Sequence, residues 1–205
     1  KILDAGGGIG RISIPLAKKG YKVFLLDISK TALNFAKQQA KKQGVLNRIE
    51  FIEGDVCNLK FKSNYFDLVI ALRDVINYSL DSRKAANELM RVLKQDCYLI
   101  ASVSNKTFWL TKVERWDYSL EKIKSLLATK SMLLESELKE LFKGLKIEKV
   151  VGNGYCSGNI EEKYLNEDFL EIENIVGDDQ ELKFTCEYLV LVGKKHGWKS
   201  YFGWN

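Results

Sequence analysis

A chain of 205 residues, 46% apolar and 29% charged, can bury one large core and is not composed like a disordered or fibrous protein. No apolar run approaches the ~20 residues that span a bilayer as a helix, which excludes an integral helical membrane protein. A formal charge of +5 on 32 basic and 27 acidic residues does not by itself point to a nucleic-acid partner, and the single histidine, His196, rules out metal sites built on several histidines.

The chain opens on Ile2 and Leu3, the end of a buried strand that runs into the glycine-rich stretch Asp4 to Gly10. Arg11 to Lys19 reads as a helix closed by Gly20, with Pro15 in its first turn. Tyr21 to Asp27 is a second strand. Ser29 caps a helix whose Leu33, Ala36 and Ala40 share one face and which ends at Gly44. Strand three is Ile49 to Glu53, strand four Phe66 to Leu72. A helix over Ser82 to Lys94, with Leu89, Met90, Val92 and Leu93 as its buried side, leads to strand five, Tyr98 to Val103. Strands alternating with helices at this spacing predict right-handed crossovers and a parallel sheet covered on both faces.

The rhythm changes at Asn105. Residues 105–131 hold Phe108, Trp109, Trp116 and Tyr118 and are too long and apolar for a simple connection. A helix over Glu135 to Phe142 precedes strands near Ile147 to Val151 and Glu187 to Val192. Between them, residues 150–182 carry nine acidic residues and one Lys, while residues 1–104 carry 17 basic and 10 acidic ones, so the charge is segregated. The acidic stretch reads as a solvated helix over Glu161 to Ile175. The tail holds Trp198, Tyr201, Phe202 and Trp204, and His196 beside it suits a surface or packing role. Four cysteines without a C-x-x-C pair suit a reduced, cytoplasmic protein.

A strand, a glycine turn and a helix present backbone N–H groups and bare main chain to a nucleotide-like ligand. Gly6, Gly8 and Gly10 give G-x-G-x-G, whereas the dinucleotide fingerprint wants Gly or Ala where this chain has Arg11. Asp27 ends strand two about 20 residues on, where a carboxylate can accept from both hydroxyls of a free ribose, or can merely turn the chain into its capped helix. Asp55, after strand three, is placed to accept from an adenine amino group, with Val56 packing on the ring.

These stretches resemble the class I S-adenosylmethionine-dependent methyltransferases. KILDAGGGIGRISIPLAKKGYKVFLLD, residues 1–27, is similar to the family's first motif and the acidic end of its second strand; FIEGDVCNLKF, residues 51–61, resembles the adenine-contacting segment; YFDLVIALRDVINY, residues 65–78, resembles the fourth motif; ELMRVLK, residues 88–94, resembles the helix before strand five. The resemblance implies an α/β doubly wound, seven-stranded, mostly parallel sheet whose antiparallel last strand lies between the fifth and sixth, with helices on both faces. It implies one domain over 1–205: a cofactor-binding half at 1–104, a substrate lid at 105–131, and completion of the sheet at 132–205 with an acidic insert at 155–182. The helix that commonly precedes the first strand is expected to be missing from this sequence. Cys97 and Cys186 would begin neighbouring antiparallel strands from opposite ends, which disfavours a disulfide between them.

The cofactor implied is S-adenosyl-L-methionine, and no metal is. Gly6, Gly7, Gly8 and Gly10 would pack on its methionine and ribose portions, with Asp4 orienting the amino group; Asp27 would hold the ribose with Ile28 beside the adenine; Asp55 and Val56 would contact the adenine; Leu72 and Arg73 would face the sulfonium. Asp74 or Tyr78 would take a proton if the acceptor must lose one, Asp74 reading equally as a loop carboxylate. Trp109, Trp116 and Tyr118 are candidate substrate contacts or core residues. The fourth motif lacks the Asn/Asp-Pro-Pro-Tyr/Phe run used on base amines. The expected activity is methyl transfer to a small-molecule O or N acceptor, with nucleic-acid or protein methylation, or a non-catalytic cofactor-binding subunit, as alternatives. A nicotinamide oxidoreductase is opposed by Arg11 and Gly54-Asp55. The oligomeric state is not legible.

Overall fold

The computed structural model describes residues 1–108, 132–153, 178 and 186–196. Seven strands form one sheet: β1 (Ile2–Ala5), β2 (Val23–Asp27), β3 (Ile49–Glu53), β4 (Phe66–Ala71), β5 (Leu93–Ser104), β6 (Lys146–Asn153) and β7 (Tyr188–Lys194). Their order is β3-β2-β1-β4-β5-β7-β6, with β7 antiparallel to both neighbours and the β3 to β5 ladders parallel. This is the seven-stranded order anticipated above.

The helices follow the same logic. α1 (Ser13–Lys18) and α2 (Lys30–Lys42) cover one face, where Ile14, Ala17, Leu33, Ala36 and Ala40 bury against Val23, Leu25 and Ile49. The alternate residues Phe24 and Leu26 face the other side, beneath α3 (Ser82–Val92) and α4 (Glu135–Leu141), which supply Ala85, Ala86, Leu89, Val92 and Leu138. Period-two alternation in a doubly covered strand thus feeds two cores. Ser29 Oγ accepts from Ala32 N at 3.2 Å, capping α2, and Asp81 Oδ1 accepts from Lys84 N at 2.9 Å, capping α3.

Of the boundaries that differ from the sequence reading, three have a clear physical reason. α1 starts at Ser13 rather than Arg11, because the glycine turn continues to Gly10, whose N–H donates to Gly7 O at 2.9 Å. α3 stops at Val92, because Leu93 already pairs with Phe66 in the β4–β5 ladder; Met90, expected on the buried side, is only half-buried. Gln95 to Cys97, left between that helix and strand five in the sequence reading, lie inside β5 as an irregularity between the pairs Phe66–Leu93 and Leu68–Tyr98. Asp96 is left-handed there, with φ +58°, and donates its N–H to Lys195 O at 2.6 Å. Lys195 Nζ in turn donates to Met90 O at 2.8 Å and Leu93 O at 2.7 Å, so the end of β7 stoppers the C-terminus of α3.

Tyr98 pairs with Lys194 and Ser104 with Tyr188, which puts Cys97 and Cys186 at opposite ends of the β5–β7 ladder; neither forms a disulfide. Among the described residues no helix is long and apolar enough to cross a membrane. Trp109, Trp116, Tyr118, the helix expected at Glu161 to Ile175, most of the acidic insert 155–182 and the tail aromatics lie outside the described residues.

Candidate active site

A cleft of about 470 Å³ opens beyond the carboxyl ends of β1, β2, β3 and β4 and is lined by Gly6, Leu26, Asp27, Ile28, Gly54, Asp55, Val56, Arg73, Val75, Tyr78, Ser79 and Leu80. That is the size of a small-ligand pocket, at the place where open α/β sheets bind ligands. Its floor is the turn after β1. Gly6, Gly8 and Gly10 all have positive φ, at +67°, +52° and +84°. At Gly6 an added Cβ would come within 2.3 Å of Val75 Cγ2, whereas at Gly8 it would meet only Asp27 Oδ2, at 3.9 Å. The first glycine therefore lets the cleft wall close, and the third residue of the turn leaves an open face.

The N–H groups of that turn are largely used within the protein. Gly6 and Gly7 donate to Leu26 O at 2.7 and 3.1 Å, Gly8 donates to Asp27 Oδ2 at 2.8 Å, and Gly10 donates to Gly7 O. A pyrophosphate would need several of them free, so the turn suits a ligand without phosphates. Of the two readings made of Asp27 the structure shows the turn: Oδ1 accepts from Ser29 N at 2.8 Å and leads the chain into α2, while Oδ2 accepts from Gly8 N and braces the glycine turn. Each oxygen retains a lone pair for a hydroxyl donor. Asp55 Oδ1 accepts from Cys57 N at 2.8 Å, which closes the loop after β3 and sets Val56 into the wall.

Asp4 does not line the cleft. It is 2% exposed beneath the turn and accepts from Ser13 Oγ at 2.6 Å. Burial pushes its carboxyl up to about 6, against the lowering effect of the hydrogen bonds from Ser13, with a smaller upward push from the Asp27 charge. Gly7, Gly8, Gly10 and Leu72 likewise lie off the lining, as does Asp74. Arg73 and Asp74 are consecutive left-handed residues, with φ +62° and +64°. Such a conformation costs an L-residue roughly 1–2 kcal/mol. Two serines of β5 hold it: Arg73 N donates to Ser102 Oγ at 2.8 Å, and Asp74 Oδ1 accepts from Ser104 N at 2.9 Å and Ser104 Oγ at 2.6 Å. Asp74 is thus occupied as a pin between β4 and β5, whereas Tyr78 stands on the cleft. The sequence reading missed Leu26, Gly54, Val75, Ser79 and Leu80 in the wall; the last three belong to the segment after β4, where Val75 already lay in the stretch 65–78 likened to the fourth motif.

A family model described as a methyltransferase domain matches residues 2–96. Over that stretch, a little under half of its length, the chain is similar to the class I, Rossmann-like methyltransferases. Ubiquinone/menaquinone biosynthesis C-methyltransferase UbiE of Vibrio cholerae is 33% identical over 101 residues, which are 46% of this chain and 37% of that protein. The tRNA 5-carboxymethoxyuridine methyltransferase of Escherichia coli is 31% identical over 97 residues, 46% of this chain and 36% of that one. The chain therefore spans little more than a third of these curated relatives. An S-adenosylmethionine-dependent methyltransferase of Methanosarcina mazei superposes with a TM-score of 0.66 at 23% identity, covering 95% of this chain and 92% of that one, and shares the fold.

The family's cofactor is S-adenosylmethionine, and the residues present fit it: a phosphate-free turn with an open face at Gly8, two strand-end carboxylates with spare lone pairs, and an apolar wall at Leu26 and Val56. At the mouth, Ile28, Tyr78 and Leu80 are 76%, 81% and 96% exposed, apolar surface that a bound ligand would cover. Away from the cleft the charge is one-sided. Residues 5–49 hold nine Lys and Arg, all exposed, five of them in α1 and α2, and a single carboxylate, Asp27, which faces the cleft.

Proposed function

We propose that this chain is the cofactor-binding part of an enzyme that transfers a methyl group from S-adenosylmethionine to an O or N atom of a small-molecule acceptor. The observation that carries the reading is the cleft itself, an apolar pocket of about 470 Å³ in which strand-end carboxylates flank a glycine turn with few N–H groups to spare. Bound there, the cofactor supplies a methyl already activated by its sulfonium, so the protein's task is alignment and exclusion of water. Well-aligned reactants gain about 7–11 kcal/mol at best from that alone.

The chain's residues divide that task. Asp27 takes the ribose hydroxyls on lone pairs left free by Gly8 and Ser29. Val56 and Ile28 enclose the adenine, and Asp55 stands beside its amino group. Tyr78 and Leu80 close the mouth over the acceptor and keep water out. If the acceptor releases a proton, Tyr78 stands on the cleft to receive it as its phenolate, re-forming the neutral phenol; Asp74 positions the turn that carries Arg73.

Isothermal titration tests the cofactor site. Asp27→Ala removes an acceptor shared by two N–H groups and the ribose, and charge-assisted bonds of about 1.5–3 kcal/mol each predict affinity for S-adenosylmethionine at least ~100-fold weaker. Unchanged affinity sinks the assignment.

The exposed cations of α1 and α2 favour a second reading, in which the acceptor is carried on RNA. The full chain should then bind single-stranded RNA with an affinity falling steeply as salt rises, the log–log slope being roughly −0.7 per phosphate neutralised. Exchanging Lys37, Lys41 and Lys42 for Glu should flatten that slope. Absent or salt-independent binding removes this reading and leaves the small-molecule one.

A further inference from the structure

Among the described residues, three charged side chains line the cleft: Asp27, Asp55 and Arg73. Both carboxylates already accept backbone N–H groups, from Gly8 and Ser29 and from Cys57. Among the described residues the Arg73 guanidinium makes no hydrogen bond or ion pair, though its charge is felt at Tyr188, and Asp74, next to it in the chain, accepts from Ser104. Of the charged side chains that line the cleft, Arg73 is thus the one without a hydrogen-bond partner among the described residues.

The root of that cation is fixed while its tip is free. Arg73 has φ +62°, and its N–H is held by Ser102, a residue 4% exposed. A glycine would adopt this backbone without strain, so an arginine here pays for a side chain in this place. A cation beside the sulfonium of the proposed cofactor would be repelled unless an anion lay between them. Guanidinium is the side chain whose fork matches a carboxylate in two parallel hydrogen bonds.

We propose that Arg73 is a carboxylate-binding residue of the cleft, gripping the carboxylate either of the cofactor's amino-acid tail or of the methyl acceptor. This rests on the methyltransferase reading and adds to it the charge class of a bound group. Calorimetric titration of the full chain decides it, using wild type, Arg73→Gln and Arg73→Gly. Arg73→Gly suits the left-handed backbone, so its melting temperature should not fall and lost binding cannot be ascribed to unfolding.

If the carboxylate is the cofactor's, S-adenosylhomocysteine binds both variants at least ~10-fold more weakly, while its analogue lacking the carboxylate binds all three proteins alike. If it is the acceptor's, S-adenosylhomocysteine affinity is unchanged, and phenylacetate titrated into that complex binds wild type at least ~10-fold more tightly than either variant, with neutral benzyl alcohol showing no such preference. Unchanged S-adenosylhomocysteine affinity together with no Arg73-dependent binding of phenylacetate overturns the proposal. A wild-type chain that fails to bind S-adenosylhomocysteine at all refutes the methyltransferase reading instead.

Discussion

Gly6→Ala is expected to destabilise the fold by about 2–5 kcal/mol, and Gly8→Ala, two residues on, by only about 1–2 kcal/mol. Both residues are left-handed, at φ +67° and +52°, so both substitutions pay the backbone cost. They differ in what the new methyl meets. At position 6 it would lie 2.3 Å from Val75 Cγ2 and 3.1 Å from Val75 Cγ1. Val75 cannot swing away cheaply, because a β-branched side chain has a stiff χ1 and this one packs against the α3 core. Relief must come from moving the cleft wall, so cofactor affinity should fall together with stability. At position 8 the nearest atom is Asp27 Oδ2 at 3.9 Å, and nothing has to move. Urea unfolding of the two variants measures the contrast; equal losses would mean that the wall at Val75 yields without cost.

That contrast was not visible in the sequence, where the glycines of the turn look equivalent. The strands were legible because β1, β2 and β4 are doubly covered and read as continuous apolar runs, ILDA, VFLLD and FDLVIA, stopped by Gly, Ser or charged residues. Asp27 and Asp55 were legible for the same reason: a carboxylate at the end of a buried strand has few places to go. Long-range partners were the illegible part. Nothing near Arg73 and Asp74 signals two left-handed residues, because the serines that hold them, Ser102 and Ser104, lie about thirty positions later on β5. The stopper on α3 is equally remote, Lys195 arriving more than a hundred residues after the carbonyls it satisfies. The resemblance implied that Asp4 orients the cofactor's amino group, and only the packing shows its carboxylate bonded to Ser13 beneath the turn.

Asp4 makes the stability of the fold depend on pH in a definite direction. Its carboxyl is raised from 3.8 to about 6, burial being the main cause. Between those values the folded chain holds a proton that the unfolded chain has released, so this contribution falls as pH rises through the window and the full cost is present above it. The displacement corresponds to about 3 kcal/mol. In Asp4→Asn the group no longer titrates. The stability of wild type minus that of the variant should therefore decline by about 3 kcal/mol from pH 4 to pH 7 and level off beyond; a flat difference would show that Asp4 ionises at its ordinary value. Ligand binding supplies the converse. On the methyltransferase reading the cofactor's ammonium lies over the turn that covers Asp4, and a cation there favours the ionised carboxylate and recovers part of that cost. Affinity for S-adenosylhomocysteine should accordingly rise as pH passes through about 6, and Asp4→Asn should flatten the rise without abolishing binding. Should the rise persist in Asp4→Asn, the titrating group lies elsewhere, and Asp4 serves only to seat the turn on Ser13.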